Sequence, residues 1–120
     1  MPNPLVGDWI QYHADGSKPS DPRFSAWVEV DDLVRRDSEA GWTLILELVD
    51  AARDDRLLAD VAAGPLEDLL KREPERYIDR VELQARRDPK FRRCLTGVWG
   101  LPASIRERVV KYTSTVADPL

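Results

Sequence analysis

Two acidic pairs carry the clearest capacity for chemistry in this chain. Asp31-Asp32 and Glu67-Asp68 stand 36 residues apart. Paired carboxylates can move protons in general acid–base work or hold a hard cation. Neighbouring residues on a helix project about 100° apart, so neither pair converges by itself. A metal-dependent enzyme built on Asp31, Asp32, Glu67 and Asp68 therefore needs the fold to bring all four into one cleft. Glu67 and Asp68 have a simpler use, since negative charge is favoured in the first turn of a helix. Asp31 and Asp32 lie deeper in their helix and lack that account. The second cluster is basic: Arg86, Arg87, Lys90, Arg92 and Arg93 fall within eight positions that hold a single acid, Asp88. Such a cluster can grip phosphate, an acidic protein surface or nucleic acid. The plainer reading is a solvated turn with Arg86 and Arg87 at a helix C-terminus. The interleaved aromatics of single-strand binders are thin here, because Phe91 falls on an apolar stripe.

Single reactive residues offer less. His13 is the only histidine, and its nearest carboxylates in sequence are Asp15 and Asp8, so a solvated surface side chain is expected. Cys94 is the only cysteine. It shares an apolar face with Phe91, Leu95 and Val98, which predicts a buried, inert thiol. One cysteine and one histidine do not make a zinc site, and no disulfide can form within the chain. No metal or cofactor is expected. There is no Gly-rich phosphate loop, nucleophile elbow or Ser/His/Asp set. Of the four tryptophans, Trp27, Trp42 and Trp99 fall on apolar stripes and read as core, whereas Trp9 is the one expected to be partly exposed. Tryptophan and arginine are frequent anchors of protein interfaces. Trp9, Arg86, Arg87, Lys90, Arg92 and Arg93 are thus the candidate partner-binding residues.

The elements that must carry these residues are helices. Residues 1–22 hold Pro2, Pro4, Pro19 and Pro22 with Gly7 and Gly16, a loop-rich arm with at most one short helix, capped by Asp8 and pinned by Trp9, Ile10 and Tyr12. Asp21-Pro22 signals a helix start, and apolar residues then recur at helical spacing to Arg36. Ser38 opens a helix apolar around most of its girth (Trp42, Leu44, Ile45, Leu46, Leu48, Val49), which belongs at the centre. Its one weakness is Gly41, explicable by a close backbone approach. Asp54 and Asp55 cap a short helix that Gly64-Pro65 ends while starting another. Pro74 and Asp88-Pro89 open two more. The second carries Phe91, Cys94, Leu95, Val98 and Trp99 at i, i+3, i+4, i+7 and i+8, with Gly100 as its stop. Pro102 starts the last, lined by Ile105, Val109 and Tyr112, and residues 114–120 read as a frayed tail.

Val30 to Glu39 is echoed by Leu66 to Glu75: four of the ten pairs are identical and five keep their chemical type. A 36-residue period suits a helical hairpin. The expected fold is a single all-α domain over residues 1–120. It is a compact bundle of six to seven short helices, arranged as stacked antiparallel hairpins in the manner of HEAT or TPR units.

Several stretches resemble a family of small bacterial proteins with a domain of unknown function. They are Trp42-Thr43-Leu44-Ile45-Leu46, Ala63-Gly64-Pro65-Leu66-Glu67-Asp68-Leu69-Leu70, Tyr77-Ile78-Asp79-Arg80-Val81-Glu82 and Ala85 to Arg93. The likeness spans about residues 24–99. It implies a bacterial, helical, single-domain protein and brings no activity with it. The resemblance also implies a His-Gly near Glu73-Pro74, which this chain lacks, so no histidine is required there.

Composition narrows the function classes. The chain is 42% apolar and 33% charged, as soluble globular domains are, and no run approaches the ~20 apolar residues that span a bilayer. The start lacks the marks of a secretory signal, and a cytoplasmic location without membrane contact is expected. Net charge is −4, split as 6 basic against 13 acidic residues over 1–60 and 12 against 9 over 61–120. Mild acidity argues against generic nucleic-acid binding. The expected function is a non-catalytic protein–protein interaction module, of which an immunity- or antitoxin-like inhibitor is one specific form. Phosphate or nucleic-acid binding through residues 86–93 and the carboxylate enzyme are the alternatives.

Overall fold

The computed structural model describes residues 3–113. Within that range the chain is all α and has no strand. The helices are α1 (Pro4–Ala14), α2 (Phe24–Arg36), α3 (Ser38–Ala51), α4 (Asp55–Val61), α5 (Glu67–Arg72), α6 (Pro74–Arg87), α7 (Pro89–Leu95) and α8 (Ala103–Thr113), with a π-helical turn (Ala62–Leu66) between α4 and α5. The expected tail at 114–120 lies outside the described residues.

The proline-rich start is more regular than its composition predicts. Pro4 occupies the first turn of α1, where no N–H is needed, and the Asn3 side chain, not Asp8, accepts from Leu5 N at 3.0 Å. The helix ends in a Schellman motif: Gly16 adopts φ 104°, its N–H reaches His13 O, and Ser17 N reaches Tyr12 O. Trp9, Ile10 and Tyr12 do pin the segment, against α2, α3 and α4.

Single non-helical residues make the sharpest joints. Asp37 separates α2 from α3, Glu73 separates α5 from α6, and Asp88 separates α6 from α7, with φ between −143° and −131°. Asp37 and Glu73 are 36 residues apart, so the sequence echo marks equivalent corners. The Asp37 carboxylate accepts from Ala40 N, and that of Asp88 accepts from Lys90 N and Phe91 N. At Glu73 the following Pro74 needs no such partner. The tightest approach lies beside the first corner: a Cβ on Gly41 would stand 2.9 Å from Val34 Cα. That is the close contact that the glycine in α3 leads one to expect.

Gly64-Pro65 does not break the chain into two helices. The backbone of Ala62 and Glu67 stays helical, and Glu67 N bonds Ala62 O, five residues back. The reason lies in the spacing of buried residues: 57/58, 61/62, 65/66 and 69/70 recur every four residues. An α-helix turns 400° in four residues, so such a stripe drifts about 40° per repeat. One π turn absorbs the accumulated drift and also seats a proline that has no N–H to donate. Glu67 and Asp68 consequently sit within one continuous rod from Asp55 to Arg72, not at a helix start.

The predicted stripe over 91–99 stops early. Phe91, Cys94 and Leu95 are fully buried, but α7 ends at Leu95. A Cβ on Gly97 would meet Ala62 Cβ at 3.0 Å and Ala59 Cα at 3.4 Å, so the chain presses flat on the rod there and leaves the helical path. Gly100, at φ 69°, turns the chain towards α8. Trp99 is left 74% exposed and Trp27 39%, contrary to the core placement their spacing predicts. Trp42 is buried as expected, edge-on to Phe91 with centroids 5.9 Å apart. The core runs through α3, the α4–α5 rod, α6 and α7, where Ile45, Leu48, Val61, Leu66, Leu70, Tyr77, Val81 and Leu95 are shut off from water. Glu82 accepts from Arg108 and thereby ties α6 to α8.

Candidate functional site

α2 and the π-turn rod lie side by side and leave a groove of about 250 Å³ between them. Trp27, Val30 and Asp31 come from α2, Gly64 and Pro65 from the π turn, and Glu67, Asp68 and Lys71 from α5. The fold thus brings three of the four singled-out carboxylates to one place. Asp31 and Asp68 face each other through Arg35, whose Nη2 lies 3.3 Å from Asp31 and whose Nε lies 3.8 Å from Asp68. Glu67 accepts from Trp99 N at 2.7 Å and pairs with Lys71 at 3.3 Å. Asp32 is left out: it turns to solvent and pairs with Arg36 four residues on. Among the described residues, no three His, Cys, Asp or Glu side chains close on a point that could hold a cation. The enzyme built on all four acids lacks its required geometry.

Asp68 Oδ2 is shielded from water and takes no hydrogen bond. Its closest cation, Arg35 Nε, stands beyond hydrogen-bonding distance. Trp27 forms one lip of the groove and stacks on Phe24, with centroids 5.6 Å apart and planes 11° from parallel. The loop carrying Trp99 is held to the rod through Glu67. A second groove, apolar and of about 470 Å³, opens beyond Trp99 between that loop and α8.

The other candidates are accounted for by the fold. Trp9, expected to be partly exposed, is 1% exposed and lines the groove, because α1 forms a full helix packed on α2, α3 and α4 where a loop-rich arm was expected. The basic run is tied into the fold at each residue, while Arg86, Arg87 and Arg93 remain exposed. Arg86 donates to Tyr112 OH, Arg87 to Gln84, Lys90 to Asp50 O at the end of α3, Arg92 to Ala85 O, and Arg93 to Asp55. These cations satisfy helix-end carbonyls and pair locally, the role that helix electrostatics favours. His13 is buried, not solvated: it is 9% exposed, with its ring against Trp9 and Nδ1 2.8 Å from Ser17 Oγ and 3.6 Å from Asp60. Burial lowers its pKa below the ordinary 6.5, Asp60 opposes that shift and Arg56 adds to it. Cys94 donates to Leu58 O at 3.4 Å, and burial pushes its thiol up to about 12, so no thiolate is available.

Sequence reasoning missed Trp27 and Trp99 as surface residues and did not single out Arg35. The four-residue recurrence of buried positions through Gly64-Pro65 is the signal that places Glu67 and Asp68 on the groove.

The arrangement defines a small all-α bundle with a tryptophan- and acid-lined groove. Within it, the reactive side chains singled out from the sequence are engaged in the fold. The chain belongs to a family of unknown function, DUF6869, whose profile matches residues 15–116, a span that includes every groove residue but Trp9. No curated protein and no solved structure matches the chain.

Proposed function

We propose that this chain is a non-catalytic protein-binding module of the bacterial cytoplasm that docks its partner on the face bearing Trp27, the groove and Trp99. The observation that carries this reading is the exposure of two tryptophans, Trp27 on the lip of the groove and Trp99 on the loop whose backbone is tied to the groove residue Glu67. Covering an indole as open as Trp99 removes on the order of 100–200 Å² of largely apolar surface from water, worth roughly 2.5–5 kcal/mol before the costs of association. Tryptophans at the rim of a pocket are the residues that most often dominate binding energy. The hydrogen bonds that Arg86, Arg87, Lys90, Arg92 and Arg93 make within the fold favour the docking face over the phosphate or nucleic-acid alternative. Among the described residues, no helix is long and apolar enough to cross a membrane. In the immunity- or antitoxin-like form of this function, the partner is a toxin held inactive in a stoichiometric complex.

The test is affinity capture from the native host with the wild-type chain and with a Trp27→Ser/Trp99→Ser variant, both quantified. Trp99 is 74% exposed and Trp27 39%, so the circular dichroism and melting temperature of the variant are read first, and Trp99→Ser alone serves if the double variant has lost its fold. A partner recovered reproducibly by the wild type and reduced at least about tenfold by the variant is expected, since two indole anchors carry several kcal/mol. Recovery of no protein that depends on these two residues overturns the proposal.

A further inference from the structure

We infer that this chain pairs with a second copy of itself through the apolar groove between the Trp99 loop and α8. The inference goes beyond the docking reading and concerns the other side of Trp99; no residue lining this groove lines the first one. Leu95, Val98, Leu101, Val109 and Val110 make its wall apolar, and Trp99 stands open at its edge. A protruding indole beside a hollow is self-complementary. In a two-fold pair each copy seats its own indole in the hollow of the other, so one contact is made twice.

The charges along α8 suit a second copy. Ala103, Arg106, Glu107 and Val110 recur at three- and four-residue spacing and are all exposed, so α8 turns one uncovered face along the groove. A two-fold axis crossing this face between Arg106 and Glu107 runs the two α8 helices antiparallel. Arg106 then meets Glu107 of the second copy, twice, and Val110 meets the small Ala103, twice. Trp99, which precedes α8, falls beyond Ala103 and beside Val110 and Thr113 of the second copy, which line its groove. Both charges are available for this pairing. The Glu107 side chain makes no ion pair among the described residues. Arg106 gives Nη2 to Leu101 O at 3.0 Å, which leaves the rest of its fork for an acid. Trp99 carries ~150 Å² and the α8 face with Val98 ~350 Å², so two copies together cover ~1,000 Å². That total reaches the lower bound of a specific interface, and a reversible dimer with a dissociation constant on the order of 10–100 µM is expected. A docked partner and a second copy compete for Trp99.

The experiment is sedimentation velocity on the purified chain from about 5 to about 500 µM, a range that brackets the expected constant. The wild type is expected to pass from a mass near 13.7 kDa to twice that value. Val110→Arg and Trp99→Ser, checked for fold by circular dichroism, are expected to remain monomeric. Glu107→Arg weakens pairing about tenfold, and Arg106→Glu/Glu107→Arg, which exchanges the two charges, restores it to within a few fold of the wild type. A wild type that stays monomeric at the highest concentration, or a dimer indifferent to Val110→Arg and Trp99→Ser, overturns the inference. An exchange variant that pairs no better than Glu107→Arg overturns the two-fold register. Affinity capture separates this inference from the docking reading. A monomeric wild type that captures a different protein through Trp27 and Trp99 refutes the dimer and leaves the docking face standing. A dimer lost with Val110→Arg, in a chain that captures no other protein through its tryptophans, does the reverse.

Discussion

Replacing Gly41 by alanine tests the rigidity of the α2–α3 corner with one methyl group. Gly41 lies in α3 just past the Asp37 corner, and helix propensity alone favours alanine there by about 1 kcal/mol. The new methyl, however, would stand 2.9 Å from Val34 Cα and 3.3 Å from Val34 Cγ2. The nearer atom belongs to the backbone of a buried residue, so no side-chain rotation relieves the clash, and α2 and α3 must part. Overpacking of this kind costs about 1–3 kcal/mol, and a backbone contact falls in its upper half. The net expectation is a loss of about 1–2 kcal/mol, seen as a drop in melting temperature of about 3–8 °C. Urea denaturation followed by tryptophan fluorescence reads the same loss as a lower midpoint at unchanged slope. Gly7→Ala is the matched control, since nothing lies within 4 Å of its added methyl and α1 should gain about 0.5–1 kcal/mol. Trimming Val34 to alanine in the Gly41→Ala background should rescue nothing, because its Cα remains. A Gly41→Ala midpoint at or above that of the wild type refutes the reasoning and means that the corner opens freely.

Other perturbations have equally definite outcomes. The folded chain binds the His13 proton less readily than the unfolded chain, because burial lowers its pKa from 6.5. Its contribution is therefore complete above the unfolded value and is lost as pH falls through the folded value, by about 1.4 kcal/mol per unit of separation. The urea midpoint should fall between pH 7.5 and pH 5, and His13→Gln should reduce that fall; an unchanged pH dependence in the variant removes His13 as its source. Cys94, with its thiol pushed up to about 12, should react with iodoacetamide at pH 8 roughly a thousandfold more slowly than a free cysteine. Mass spectrometry over hours checks this, and fast labelling of native protein contradicts it. Alanine at Arg86, Arg87, Arg92 and Arg93 together should lower the melting temperature, since bonds to Tyr112, Gln84, Ala85 O and Asp55 disappear. Retention on heparin at low salt should be equally weak before and after, and a salt-sensitive retention lost in the variant would restore the nucleic-acid reading.

Local signals in the sequence were legible wherever one side chain settles the outcome. Asp54 caps α4 by accepting from Leu57 N, Asp88-Pro89 opens α7, and the echo at Asp37 and Glu73 corresponds to two equivalent corners. Errors arose where a distant contact overrides a local pattern. Trp9 was hidden by the prolines around it, although Asn3-Pro4 is itself a helix start. The stripe ending in Val98 and Trp99 outruns its helix because Gly97 must lie against Ala59 and Ala62. Gly64-Pro65 carries both standard marks of a break, yet the buried residues on either side keep one face only if the helix continues. The hydrogen-bond partners of the basic run are not legible locally, since they lie from 3 to 40 residues away in the chain. The groove has no local signature, since it exists only once α2 and the rod are adjacent.

The π turn has a consequence for how this chain can change in length. Everything downstream of Ala63 is clocked against α4 by one surplus residue. Deleting it would rewind the rod by roughly a quarter of a revolution, from the 100° step of each helical residue. Leu69 and Leu70 would swing out of the interior, and Glu67 and Asp68 would face away from Trp27, in the same event. The core and the groove are thus geared together at a spot where no side chain is reactive, and shortening there should be far less tolerable than any single replacement.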